Sequence, residues 1–269
     1  MQRLFYYSIT LVFLAYAGIC AWLYNNQEAL LFLPKKLTND YVFTFREEFV
    51  EIVLDTPDGE RLHGLHFKAE TPKGIILYFH GNAGALDTIG FEAAGFVERG
   101  YDVVIPDYRS YGKSSGSLSE KALYEDAKLF YRYVEDYWPA NGTDDIIIYG
   151  RSIGTGVAAY LASQVQQHEL ILVTPYYSMS RLAQQKYPLV PVSMLLRYPL
   201  ATDQFALNLA KPIYIFHGTK DRVIPYQDAL DLKRLIGDRA KLITVEGSNH
   251  NSIVDDSYFW LEMEKVLNN

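Results

Sequence analysis

From Ile75 onward, short apolar runs alternate with longer segments of mixed character. The runs near 75–79, 102–106, 145–149, 169–174, 212–216 and 241–245 are five or six residues long, the length of buried strands. The segments near 87–99, 119–137, 153–165, 226–236 and 256–267 predict helices between and after them. This alternation predicts a mostly parallel central sheet flanked by helices, with right-handed crossovers that bring the loops after the strands to one edge. Upstream, Phe49–Thr56 and Arg61–Lys68 alternate as strands do, and Pro57-Asp58-Gly59 between them is a turn signal, so the pair predicts an antiparallel hairpin. Residues 176–210 break the rhythm. They carry Tyr176, Tyr177, Tyr187, Tyr198 and Phe205 with Pro188, Pro191 and Pro199. Two readings stay open for them: an aromatic cap forming an apolar binding surface, or ordinary packing on the sheet.

The amino terminus follows another pattern. Leu4 to Tyr24 carries no charge, and as a helix this stretch spans about 31 Å, close to the hydrocarbon thickness of a bilayer. Residues 1–26 are therefore expected to be a transmembrane anchor or a signal segment, and 27–269 one α/β domain with a short insert at about 176–210. Arg3 precedes the apolar run, which places the amino terminus in the cytoplasm and the domain on the non-cytoplasmic side, although Lys35 and Lys36 pull the other way. Ala15-Tyr16-Ala17 is an A-x-A cleavage pattern, so secretion after signal cleavage is the alternative. A single cysteine, Cys20, rules out an intrachain disulfide. The net charge of −7 argues against an electrostatic nucleic-acid partner.

Candidate chemistry centres on Gly150-Arg151-Ser152-Ile153-Gly154, which follows an apolar run and precedes a helix-like one. A serine on such a tight strand-to-helix turn stands exposed, provided its neighbours lack bulk, as Gly150 and Gly154 do; Gly156 would ease the helix–strand contact. A serine hydroxyl needs a base. His250, after the run 241–245, supplies an imidazole that titrates near neutral pH, and Asp221, after the run 212–216, would orient it. Two N–H donors for a developing oxyanion are expected from Ile153 and from Asn82, in His80-Gly81-Asn82-Ala83-Gly84, where Gly81 and Gly84 allow close backbone approach. Asp203 is the substitute acid. His63, His66, His80, His168 and His217 fit the base role less well, His80 and His217 being expected to shape loops. Asp107 is expected to cap its own loop, against Arg109. No H-E-x-x-H, cysteine pair, phosphate loop or dinucleotide fingerprint is present, so neither metal nor cofactor is expected. Asn141-Gly142-Thr143 is a glycosylation sequon.

Taken together, these residues resemble the α/β-hydrolase superfamily, in which the triad runs Ser, Asp, His along the chain. More narrowly, the chain is similar to membrane-anchored serine hydrolases with an H-G-N-A-G box, whose relatives include acyl-protein thioesterases and lysophospholipid lipases. Gln27-Glu28-Ala29-Leu30-Leu31-Phe32-Leu33-Pro34 resembles that group's segment after the anchor, and Asp107-Tyr108-Arg109-Ser110-Tyr111-Gly112 resembles its D-Y-R-G-Y-G loop, with Ser110 in the place of a glycine. The resemblance implies the α/β-hydrolase fold and hydrolysis of a small-molecule acyl ester or thioester through an acyl-enzyme. A peptidase or amidase on the same fold, and a non-catalytic membrane-tethered scaffold, are the alternatives.

Overall fold

Each apolar run from Ile75 onward alternates in two directions, and the computed structural model shows why. It describes residues 2–138, 146–165, 169–207 and 209–268. Eight strands form the main sheet: β1 (Phe49–Asp55), β2 (Arg61–Phe67), β3 (Gly74–Phe79), β4 (Tyr101–Pro106), β5 (Ile146–Arg151), β6 (Glu169–Val173), β7 (Ile213–Gly218) and β8 (Ala240–Val245). Their order is β8-β7-β6-β5-β3-β4-β2-β1. Strands β3 to β8 are parallel, and β2 runs antiparallel to both its neighbours. Ile75, Leu77, Ile148 and Leu172 face one buried layer, while Ile76, Tyr78, Tyr149 and Ile171 face the other. A sheet covered on both faces needs near-continuous apolar strands, which is what the runs supply. Each fully buried side chain of this size contributes about 1.5–3 kcal/mol.

The helices are α1 (Gln2–Asn25), α2 (Gln27–Leu31), α3 (Leu86–Ile89), α4 (Ala94–Val97), α5 (Glu120–Tyr137), α6 (Gly154–Val165), α7 (Met179–Lys186), α8 (Val192–Leu195), α9 (Thr202–Leu207), α10 (Tyr226–Ile236) and α11 (Ser257–Leu267). Side chains mark several starts. Ser119 accepts from the N–H of Ala122 to open α5, and Asp256 from that of Tyr258 to open α11. The hairpin expected at 49–68 is β1 and β2, paired from Phe49–Phe67 to Asp55–Arg61.

One expected helix does not form as a unit. Over 87–99 the chain makes α3, a 3₁₀ turn at Gly90–Ala93 and then α4. The two glycines in this stretch are crossed by rings: a Cβ on Gly90 would lie 2.5 Å from Phe45, and one on Gly95 would lie 2.3 Å from Trp260. Glycine's weak helix preference and the close rings together break the run.

α1 is long and apolar enough to cross a membrane, and none of its residues is buried. The chain after it is fastened to the domain. Leu33–Pro34 pairs in parallel with Ala83–Gly84, and Leu33 N–H donates to Asn82 O at 2.8 Å. The Asn82 side chain donates to Leu31 O at 3.0 Å. The sequon at 141–143 and His168 lie outside the described residues.

Candidate active site

Because β3, β5, β7 and β8 are parallel, the loops that follow them meet at one edge of the sheet, where sites form in open α/β sheets. Ser152 stands between β5 and α6 with φ +54°, a conformation that costs a side-chain-bearing residue roughly 1–3 kcal/mol. Neighbouring glycines hold it there. A Cβ on Gly154 would come within 2.1 Å of Phe79 O, and one on Gly150 within 2.7 Å of Gly154 O. Gly156 meets a different neighbour from the one expected: its added Cβ would strike the Tyr176 hydroxyl at 2.2 Å rather than the strand.

Ser152 Oγ lies 2.9 Å from His250 Nε2, and His250 Nδ1 lies 2.7 Å from Asp221 Oδ2. The carboxylate accepts only, so Nδ1 carries the hydrogen and Nε2 is left to accept from the serine. Asp221 Oδ1 also accepts from the N–H groups of Val223 and Ile224, at 2.8 and 2.9 Å. Burial pushes the Asp221 carboxyl up, but hydrogen bonds from His217, His250 and Ile224 outweigh it and hold the acid well below the usual carboxylate range. The stability that Asp221 contributes is therefore complete above its unfolded pKa of about 4 and is lost only as pH falls through the lower folded value. Asp203 lies on α9, and among the described residues His250 pairs with Asp221 rather than with it.

His217 was expected to shape a loop and does so, accepting a place between Ile224 O at 3.1 Å and Asp221 Oδ2 at 3.3 Å. That second contact makes it a support for Asp221. Its position four residues before the aspartate was the available signal. The loops after β7 and β8 are tied by Lys220 N–H donating to Ser248 O at 3.0 Å, and Ser248 in turn donates to Asp256 at 2.7 Å.

Ile153 and Asn82 both line the cavity over Ser152. Among the described residues neither N–H donates to another protein group. Gly81 needs no special space, since a Cβ there would make only an ordinary 3.8 Å contact with Ser152 Cβ. Its side-chain direction nonetheless points at the serine, so any bulk would enter the site. The cavity measures about 650 Å³ and is lined chiefly by apolar groups, including Leu30, Leu31, Met179, Leu182 and Ile224. Leu30 and Leu31, from the segment after α1, were not foreseen as lining residues. Lys186 and Arg222 also line it, and among the described residues no acid does.

Asp107 departs from expectation. Arg109 does not pair with it but bridges Asp58 and Asp126, at 2.6 and 2.9 Å. Asp107 sits instead 3.6 Å from His80, fully buried, behind the loop that carries Asn82. Ser110, in the place of a glycine, adopts φ +67° and donates to Gly116 O at 2.9 Å. The 176–210 segment combines both readings offered for it. Tyr176 and Tyr198 are fully buried, and Phe205 packs edge-on against Tyr160 and Tyr124, while α7 contributes Met179, Leu182 and Ala183 to the cavity wall.

A family model described as serine aminopeptidase, S33, matches residues 70–202. The esterase Pf2001 of Pyrococcus furiosus superposes with a TM-score of 0.68 over 87% of this chain and 98% of that one, at 17% identity. An α/β serine hydrolase homologue from Coxiella burnetii gives 0.59 at 20% identity, over 85% of this chain and 98% of that one. The chain has the α/β-hydrolase fold, and its sequence resembles that superfamily over residues 70–202. Among sequence relatives of this hydrolase, the mimivirus protein R595 is 28% identical over 80% of each chain. Lysophosphatidylserine lipase ABHD12 of Danio rerio is 31% identical over 57% of this chain and 44% of that protein. The comparisons thus indicate a hydrolase, and the matched family segment ends before Asp221 and His250.

Proposed function

We propose that this hydrolase cleaves carboxylic esters or thioesters of lipid-like acids through an acyl-enzyme on Ser152. The observation that carries the reading is the Ser152–His250–Asp221 relay opening onto an apolar cavity flanked by two undonated N–H groups. Ser152 Oγ attacks the acyl carbon as its proton passes to His250 Nε2. The carbonyl oxygen becomes an oxyanion that accepts from Ile153 and Asn82 N–H. The tetrahedral intermediate collapses, the C–O or C–S bond breaks, and the alcohol or thiol leaves with the proton from His250. A water then gives its proton to His250 and its oxygen to the acyl carbon, and a second collapse returns the proton to Ser152 and frees the acid.

α1 acts as the retained anchor in this proposal, with the domain on the non-cytoplasmic side of the membrane; its helix runs unbroken through Ala17 to Asn25, past the A-x-A pattern. Lys186 and Arg222, with no acid among the described lining residues, suit an anionic head group beside the scissile bond. The same feature speaks against an aminopeptidase, because a free ammonium group calls for a carboxylate.

Esters, thioesters and aminoacyl amides of matched acyl groups test the reading together. Turnover of the first two at least a hundred times that of the amides is expected, and preferred amide cleavage overturns it. Asp221→Asn is expected to lower kcat roughly 10³- to 10⁴-fold, because the wrong imidazole tautomer then faces the serine. In stability measured against pH, its deficit relative to wild type should be flat from pH 5 to 8 and shrink below about pH 4.

A further inference from the structure

The cavity over Ser152 shares a wall with a second one that lies toward the anchor. Leu30, Leu31, Ala183 and Tyr187 line both, the second being a narrower crevice of about 70 Å³ between the end of α1, α2 and helices α7 and α8. The crevice walls add Leu23, Val190, Val192, Leu195 and Leu196, and among the described residues no charged side chain lines it. It lies between the serine cavity and the uncovered apolar helix.

Beside that helix lies residues 187–196, a run without charge. Leu189 and Met194 are 84% and 82% exposed, although both are apolar. Tyr16, nine residues before the end of α1, donates to Leu189 O at 2.8 Å. That contact lies about 13 Å along the helix from Asn25, close to the middle of a hydrocarbon layer of about 30 Å. The backbone is fitted for such surroundings, where unpaired polar groups are costly. Pro188 and Pro191 have no N–H, and the N–H groups of Val190, Val192, Met194 and Leu196 all donate within the segment. Charge returns at both ends. Lys186 precedes the run, and Arg197 follows it, paired at 2.9 Å with Glu28 just past α1. Gln27 fixes the junction, donating to Leu195 O and accepting from Arg197 N–H, each at 2.8 Å.

We infer that residues 187–196 sit in the same leaflet as the end of α1, and that the crevice between them passes the acyl chain of a membrane-resident ester from the bilayer to Ser152. The hand-over rests on the reading of Ser152 as the acyl acceptor; the insertion does not.

The test uses the full chain in phosphatidylcholine vesicles, with 4-nitrophenyl butyrate in the water and 4-nitrophenyl palmitate in the lipid. Leu189 and Met194 border neither cavity, so Leu189→Asp combined with Met194→Asp should leave butyrate turnover within twofold and lower palmitate turnover at least tenfold. The single variant Met194→Trp should have its fluorescence quenched by lipids brominated along their chains. Palmitate turnover retained by the double variant, or an unquenched indole, overturns the inference while the Ser152 reading stands on butyrate turnover. A quenched indole in a protein that cleaves neither ester and resists a fluorophosphonate supports insertion and overturns the Ser152 reading, and the hand-over with it.

Discussion

Ser152→Ala is expected to lower ester kcat by roughly 10⁴- to 10⁶-fold and to abolish labelling by a fluorophosphonate. In the proposed mechanism the hydroxyl is the atom that bonds to carbon, and among the described residues its one hydrogen-bond partner is His250 Nε2 at 2.9 Å. Alanine keeps the Cβ, so the strain at φ +54° is unchanged, and the cavity lies next to the lost oxygen. Unfolding should therefore shift by no more than about 0.5 kcal/mol, as for substitutions that remove no buried packing. Equal turnover by the mutant and the wild type would remove Ser152 from the chemistry. A folded wild type that resists the probe would show that the relay is not assembled.

Gly154→Ala should have the larger effect on stability. Its Cβ would lie 2.1 Å from Phe79 O and 2.7 Å from His80 O, both main-chain atoms that no rotamer change can move. Overpacking of this kind typically costs 1–3 kcal/mol, and against rigid backbone we expect the upper end, about 3 kcal/mol. For a domain of this size that lowers Tm by on the order of 10 °C. The clash also wedges the end of β3 away from the start of α6, and so moves Asn82 N–H relative to Ile153 N–H. Activity should fall at least a hundredfold even below the lowered Tm. Gly81→Ala is the control: its Cβ makes a 3.8 Å contact with Ser152, so it should unfold like wild type while losing turnover. A Gly154→Ala protein as stable as wild type would show that the strand end can yield.

Much of this architecture was legible along the chain because parallel strands covered on both faces must be apolar throughout, and such runs stand out between polar helix surfaces. The same logic brought Ser152, Asp221 and His250 to one edge, since each follows a strand of that sheet. What escaped was contact between segments distant in sequence. Nothing near Gly90 or Gly95 announces that Phe45 and Trp260 cross them and break a helix. Asp107 and Arg109 are two apart and opposite in charge, yet Arg109 reaches Asp58 and Asp126 instead, carboxylates 51 and 17 residues away in the chain. Leu30 and Leu31 read only as part of the segment after the anchor; the pairing of Leu33–Pro34 with Ala83–Gly84 brings them to the wall of the serine cavity.

That pairing has a kinetic consequence. Asn82 holds Leu31 and Leu33 through its side chain and its carbonyl, so the chain leaving α1 is joined to the very loop whose N–H faces the serine cavity. A loose tether would let the domain tumble and sample the bulk like a soluble protein. A stitched one, in the membrane-anchored form proposed above, keeps the mouth of the site at a fixed height and angle above the lipid. Encounters then occur in two dimensions, and the rate follows the mole fraction of substrate in the surface rather than its molarity. Added inert lipid acts as a diluent, while added buffer does not.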